Sequence, residues 1–386
     1  MNKPNKLKFL SVALLVAEFE PIRRNVCFMA APADYLDVSD LKAVLSGGLI
    51  REDVLNEIFD NSEIATPFLD MIGDGGSYNN PYVEWTEDKL AAPNLNNKNV
   101  SGKDIASTDN DANVTNAKRV GNHAQISTKE IMITDRQGAI SAVGRADEMG
   151  YQTARRTIEC RYDIEAIALS GQASVQDDNN ATAGQSAGAA AFITTNKDLG
   201  AGGAIAGFQT GTKLVSAQVP GEGRALSFAM ISTQIENVYK LGGITNVLMG
   251  VPGQTKRLGQ FLLTTPNSAK PTQNVEGTGK GVAQVSQQFV DAFKTDFGFY
   301  MQIVPNRLQA TYADAAGGAA QTVANLFGFD ARYWKLRTLY GWRVDPLAKL
   351  GLSLRKMLAV DWMLQASLER GNFIIADLNP TSAVTA

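Results

Sequence analysis

Residues 76–133 hold two extended runs and almost nothing apolar to bind them together, and this limits what the chain can fold into. In "YVEWTED" (82–88), Tyr82, Glu84, Thr86 and Asp88 alternate with Val83, Trp85 and Glu87, so the strand carries polar groups on both faces. An Asn-, Asp- and Gly-rich loop follows to about residue 122, then a second extended run, "AQISTKEIMIT" (124–134). The reading is a long hairpin. A two-stranded ribbon with so little apolar surface is not stable alone, so it must lie on something else, and another subunit is one candidate. Glu84, Trp85, Glu87, Asp88 and Lys89 are its candidate contact residues.

The next element is the clearest in the chain. Thr134 and Gln137 make a T-x-x-Q capping box. Ile140, Val143, Tyr151, Ala154, Ile158, Tyr162 and Leu169 keep three-and-four spacing, and Gly171 stands where a helix-ending glycine belongs. One helix over 135–170 would span roughly 54 Å, longer than a small domain needs. Arg155–Glu159 and Arg161–Glu165 are spaced i, i+4 and suit a half-exposed rod. Arg155 and Arg161 therefore join the candidate contacts.

Elsewhere, residues 38–60 read as two short helices broken at Gly47-Gly48. Residues 173–225, rich in Gly, Ala, Ser, Thr, Asn and Gln, read as loops and short strands. "SFAMISTQIENVYKLGG" is a helix, "TNVLMGV" a buried strand, and "PGQTKRLGQFLLT" a helix with Pro252 in its first turn. That order marks an α/β unit, continued by strands around 285–304 and by "TVANLFGFD". Near 354–367 both parities are apolar, as in a strand covered on both sides.

The chemistry the sequence lacks is informative. "KTDFGFYMQIVPNR" (294–307) contains the Asp-Phe-Gly of kinases, but no V-A-I-K strand or H-R-D loop accompanies it. Phe289, Phe293, Phe297, Phe299, Met301 and Ile303 share one parity there, so the run reads as strand with Gly298 as a bulge. His123 is the one histidine, in a polar loop zone, and no G-x-S-x-G occurs. The two cysteines, Cys27 and Cys160, have no zinc-finger spacing. "GVPGQTKR" and "VEGTGKGVA" lack the Lys-Ser/Thr of a phosphate loop. The expectation is a chain with no catalytic residues, no metal and no cofactor; a hydrolase using paired carboxylates is the last-ranked alternative. With 36 basic and 39 acidic residues, net −3, it is no dedicated nucleic-acid binder, although weak contact with DNA stays open.

The N-terminus carries Lys3, Lys6 and Lys8 before an apolar run from Phe9 to Ala17, which looks like a short signal peptide, and Asn99, Asn113 and Asn180 form sequons. A secreted surface or adhesion protein is therefore one alternative. Glu18 and Glu20 interrupt that pattern, and Met29 offers a second start. No later run is apolar for long enough to span a membrane.

An arm, a long hairpin, a long helix, an α/β unit and closing strands together resemble the major capsid proteins of tailed phages, with the Hong Kong 97-type shell fold. The text is similar to the phage SU-ten-like major head proteins in "REDVLNEIFDNSEIATPFLDMIG", "YVEWTEDKLAAPN…VSGKD", "YQTARRTIECRYDIEAIALSG", "VDAFKTDFGFYMQIVPNR" and "LAKLGLSLRKMLAVDWMLQASLERGN". Residues 1–28 and the insert at 173–225 depart from it. The resemblance implies an α+β fold. Residues 1–39 would be an extension, 40–75 an N-terminal arm and 76–133 an extended loop over a neighbour. Residues 134–226 would form the spine helix and first peripheral part, 227–330 an axial domain, and 331–386 the second peripheral part. It implies a homo-oligomer of pentamers and hexamers, assembled in the host cytoplasm into a virion shell around double-stranded DNA, with scaffold, portal and decoration proteins as partners. An encapsulin-like compartment is the alternative on the same fold.

Overall fold

The computed structural model describes residues 65–380 apart from 91–92, 97, 99, 103–116, 141–146, 179–180, 265–291 and 316–317. The helices expected over 38–60, the far part of the extended loop, "VEGTGKGVA" and Phe289 lie outside the described residues. The elements run α1 (Pro67–Met71), β1 (Gly73–Ser77), β2 (Tyr82–Glu87), β3 (Lys118–His123), β4 (Gln125–Thr134), α2 (Asp135–Ala139), α3 (Glu148–Ala168) and α4 (Ala189–Phe192). Then come β5 (Lys197–Asp198), β6 (Phe208–Gln209), β7 (Leu214–Val215), α5 (Phe228–Lys240), β8 (Val247–Gly250) and α6 (Pro252–Thr264). The chain closes with β9 (Ala292–Lys294), β10 (Tyr300–Pro305), β11 (Tyr312–Asp314), β12 (Gly318–Phe329), β13 (Trp334–Pro346), β14 (Ser353–Ala366) and β15 (Phe373–Leu378).

Period-two alternation with both parities apolar makes a sheet buried on two faces. The larger sheet runs β5-β15-β12-β8-β10-β9, with β11 beside β12. Val247, Met249, Phe327, Phe329, Ile374 and Ala376 belong to one core, which also holds Cys160, Ile164 and Ala168 of α3 with Phe68 and Trp334. Leu248, Leu326, Phe373, Ile375 and Leu378 belong to the other, with Ile231, Ile235 and Val238 of α5. Aromatic rings knit the first core: Phe329 lies 5.0 Å from both Phe68 and Phe327, and 5.4 Å edge-on to Trp334.

The second sheet runs β1-β13-β14-β4. The strand expected near 354–367 is β14, and it is buried through Leu358–Leu364. "AQISTKEIMIT" is a strand, but its expected pairing is corrected. It joins β14, from Thr134 opposite Ser353 to Gln125 opposite Trp362, with Ile131 and Ile133 turned inward. The ribbon partner of β2 is β3, a stretch read as loop.

The single long helix is also corrected. Thr134 caps α2 by accepting from the Gln137 N–H at 3.3 Å, but α2 ends at Ala139 and Ile140 is extended (φ −90°, ψ 133°). A new helix starts at Glu148, where the Asp147 carboxylate accepts from the Met149 N–H at 3.0 Å. Its 21 residues span about 32 Å. α3 ends with Leu169 as its cap, and Gly171 is not in the left-handed region.

The Asp-Phe-Gly run is not one continuous strand. Gly298, at φ +89°, sits in the tight turn between β9 and β10, where a left-handed backbone favours glycine. Asp296 is exposed and accepts a hydrogen bond from the Ser232 hydroxyl at 3.2 Å. The parity reading survives the turn: Met301, Phe297, Phe299 and Ile303 all face the second core.

The polar insert 173–225 is an ordered layer, held by side chains that bond to main chain. Asp377, fully buried at φ +60°, accepts from the Gly200 and Gly221 N–H groups, each at 2.9 Å. Glu369, in the 3-10 turn Glu369–Gly371, accepts from the Thr194 and Thr195 N–H groups at 3.1 Å and from the Thr195 hydroxyl at 2.5 Å. Asn196 donates to the Arg370 and Asn372 carbonyls at 2.8 and 3.0 Å. Small residues allow close packing: a Cβ at Gly188 would stand 2.1 Å from the Ser170 carbonyl oxygen. Asp377→Ala orphans two buried N–H groups and leaves alanine in a left-handed backbone. The expected loss is about 3 kcal/mol, with Asp377→Asn losing less. Urea midpoints check this; an alanine variant as stable as the parent contradicts it.

Candidate assembly site at the root of the extended hairpin

β2 and β3 pair from Tyr82 opposite His123 to Glu87 opposite Lys118, so the hairpin root is a six-residue ribbon. It rests on the body of its own subunit, because its inward side chains find partners there. Val120 is buried. The Trp85 ring lies 6.1 Å from Phe192 in α4. Asn122, fully buried, uses its whole amide: its oxygen accepts from the His123 and Ala187 N–H groups at 2.9 and 3.0 Å, and its nitrogen donates to the Leu364 carbonyl and the Ser186 hydroxyl at 2.8 and 3.1 Å.

The upper end of the ribbon meets the β6–β7 turn of the insert. Glu84 accepts from the Tyr82 hydroxyl at 2.9 Å and stands 3.6 Å from Arg119 and 3.9 Å from Lys213. The Lys213 ammonium lies 5.9 Å from the centre of the Tyr82 ring, and that ring is 4.7 Å from His123. His123 is therefore a buried strand residue, which corrects the loop reading, and burial holds its pKa below the usual imidazole range.

The lower end carries most of the charge. Glu87 is only 2% exposed. Lys118, half exposed, approaches it to 3.3 Å off the hydrogen-bonding direction and also stands 3.9 Å from Glu369. Burial pushes the Glu87 pKa up, and Lys118 acts against that. The Asp88 carbonyl accepts from Arg370 at 3.0 Å, and Lys89 is exposed. Leu90, Leu95 and Val100 are 96%, 97% and 70% exposed.

The two sequence-predicted arginines of α3, Arg155 and Arg161, make contacts within the chain. Arg155 pairs with Glu159 at 3.4 Å, as its spacing predicts. Arg161 does not pair with Glu165. It donates to the Thr66 hydroxyl at 2.7 Å and pairs with Asp70, which ties α1 to the helix. Glu165 points into the core. Its carboxylate accepts from the Phe68 and Leu69 N–H groups, each at 2.8 Å, and from the Asn306 amide at 2.6 Å. Burial raises its pKa, and these three donors oppose the rise. Arg161→Ala therefore costs less than about 1 kcal/mol, because its ion pair is half exposed. A thermal melt checks this, and a loss of several kcal/mol contradicts it.

Of the sequence-predicted residues, the ribbon brings together Glu84, Trp85, Glu87, Asp88 and Lys89, while Arg155 and Arg161 stand apart on α3. Sequence reasoning missed Lys118, Asn122, Glu165 and Glu369. Lys118 and Asn122 lie in a stretch with no alternation, and Glu165 and Glu369 resemble ordinary surface acids until their burial is known. Among the described residues no group of three or more His, Cys, Asp or Glu could hold a metal, and no helix is long and apolar enough to cross a membrane.

Comparison with known proteins adds the identity. The major capsid protein of Escherichia phage Phieco32 is 26% identical over 279 residues, covering 64% of this chain and 75% of that one. The capsid of cyanophage A-1(L) superposes with a TM-score of 0.53 at 14% identity, covering 85% of this chain and 97% of that one. The capsid of a native GTA particle gives 0.51 at 12% identity, covering 85% and 95%. The fold is the α+β, Hong Kong 97-type capsid fold. The model of the SU10 major capsid protein family matches residues 37–379, and the chain belongs to that family.

Proposed function

We propose that the protein is the repeating subunit of an icosahedral shell of a tailed phage, built from pentamers and hexamers around double-stranded DNA. The observation that carries this, beside the family match, is a ribbon whose root is packed on its own subunit and whose continuation presents bare leucine and valine side chains. Each such residue gains about 1.5–3 kcal/mol when fully covered, and a second copy of the chain supplies the cover. In a closed shell every copy gives and receives the same contact, so a modest interface repeats many times. Asp88 and Lys89 are then the contact residues at the crossing, with Glu84, Trp85, Glu87, Arg155 and Arg161 shaping the subunit from within. Residues 82–123 act as the extended loop, with β4 returned to the body sheet beside β14; 227–330, with β15 beside β12, act as the axial domain, and the other parts as the peripheral domain. Assembly in the host cytoplasm, scaffold, portal and decoration partners, and weak contact with DNA complete the reading.

Light scattering on the purified protein tests it. The expected mass is many times that of the 41.4 kDa chain. A monomer at every concentration overturns the proposal.

A further inference from the structure

The lower end of the hairpin root holds buried polar groups that do not satisfy one another. Glu87 meets Lys118 only in an off-line ion pair at 3.3 Å, with neither oxygen in a well-directed hydrogen bond, and the Trp85 Nε1 and Arg370 Nε groups, both buried, donate none. Their neighbourhood is nearly complete without them. Glu369 is occupied by Thr194 and Thr195, and Arg370 donates from its outer nitrogen to the Asp88 carbonyl. The charged groups facing Glu87 are Lys118 from β3 and Glu369 and Arg370 from the 3-10 turn, with Asp88 next in the chain. Glu369 shares Lys118 with Glu87, so that single half-exposed ammonium serves two buried carboxylates.

A buried carboxylate whose one cation is half exposed, off line and shared with a second carboxylate is costly when ionised and less so when neutral. The geometry points to a protonation-controlled latch: the hairpin root seats on the subunit body while Glu87 carries a proton and loosens when Glu87 is ionised. The latch is a property of one chain. Its use, setting the hairpin free to reach a neighbour, rests on the shell reading above.

The sign follows from linkage. The seated carboxyl holds its proton more tightly than the released one, because burial disfavours its charged form. The stability that Glu87 contributes to seating is therefore complete below the ordinary glutamate range. It is lost as pH rises from there through the raised value of the seated state. His123, buried in β3 at the other end of the root, acts oppositely: acidification through the ordinary histidine range unseats it.

Hydrogen exchange of the β2 and β3 amides tests the latch, on the full-length chain kept below its assembly concentration and with rates corrected for intrinsic exchange. The quantity read is the opening constant of the parent divided by that of Glu87→Gln at each pH, so that the His123 contribution cancels. The expected ratio climbs by up to about tenfold per pH unit above the ordinary glutamate range, then levels off. A ratio that is flat or falls overturns the latch. Lys118→Met is the second arm, and decides if the glutamine variant does not fold. Without the ammonium the climb extends to higher pH, so opening relative to the parent is greater at about pH 9 than at about pH 6; equal relative opening at both overturns the proposal. Light scattering of the same samples at high concentration keeps the two readings apart. A flat ratio with normal particles sinks the latch alone, whereas a climbing ratio in a chain that never assembles sinks the shell and leaves the latch.

Discussion

Replacing Leu90, Leu95 and Val100 together by serine should abolish closed particles and leave the thermal unfolding of the unassembled subunit unchanged. All three side chains are almost wholly or mostly exposed in the single chain, so their removal takes little packing from the folded subunit. On assembly they are the apolar surface of the ribbon that the subunit itself leaves bare. Losing about 1.5–3 kcal/mol per side chain at each of many identical contacts is enough to dissolve a lattice built from weak repeats. Electron micrographs of the triple variant, scored for closed shells beside a melt of the subunit, check both halves. Normal shells show that the ribbon's apolar residues are not covered by a neighbour. A subunit that melts much earlier shows that they belong to its own core.

Glu165→Ala should have the largest effect on the subunit. Glu165 is fully buried, and one carboxylate closes three hydrogen bonds: two to the first turn of α1 and one to Asn306 after β10. Alanine takes the acceptor from the buried Phe68 N–H and the partly buried Leu69 N–H, at about 1–3 kcal/mol each, leaves the Asn306 amide only the Met249 sulfur, and opens a cavity beside Phe68. The expected loss is about 3–5 kcal/mol, with α1 released from α3 before the rest unfolds. Glu165→Gln keeps the volume and one acceptor and should lose less. Urea denaturation with hydrogen exchange at Phe68 and Leu69 checks the order of events. An alanine variant with unchanged protection at those two amides contradicts it.

Much of the fold was legible because it depends on local alternation. β8, β12 and β14 declare themselves by apolar residues on both parities, and α5 and α6 by spacing and a first-turn proline. What was not legible depends on partners. β4 has the alternation of a strand, but nothing in its own residues says that β14 and not β2 lies beside it. β3, "KRVGNH", has a glycine, an asparagine and a histidine where a strand reader wants β-branched residues. It is a strand because Asn122 and Val120 meet the body of the subunit. The break before α3 was available in principle: Asp147 is an acceptable cap, but the three-and-four spacing of Ile140 and Val143 carried the reading across it. The i, i+4 spacing of Arg161 and Glu165 was also correct as spacing. Burial of Glu165 decided which partners each took. The insert looked like low-complexity loop because its stability comes from Asp377, Glu369 and Asn196, residues that lie far from it or look ordinary within it.

The most direct test is the cryo-electron microscopy structure of particles formed by the purified chain. The predicted result is a closed icosahedral shell in which the ribbon beyond Glu87 crosses onto an adjacent copy and covers Leu90, Leu95 and Val100. A lone subunit, or a particle in which that ribbon touches only the chain it belongs to, would contradict the account.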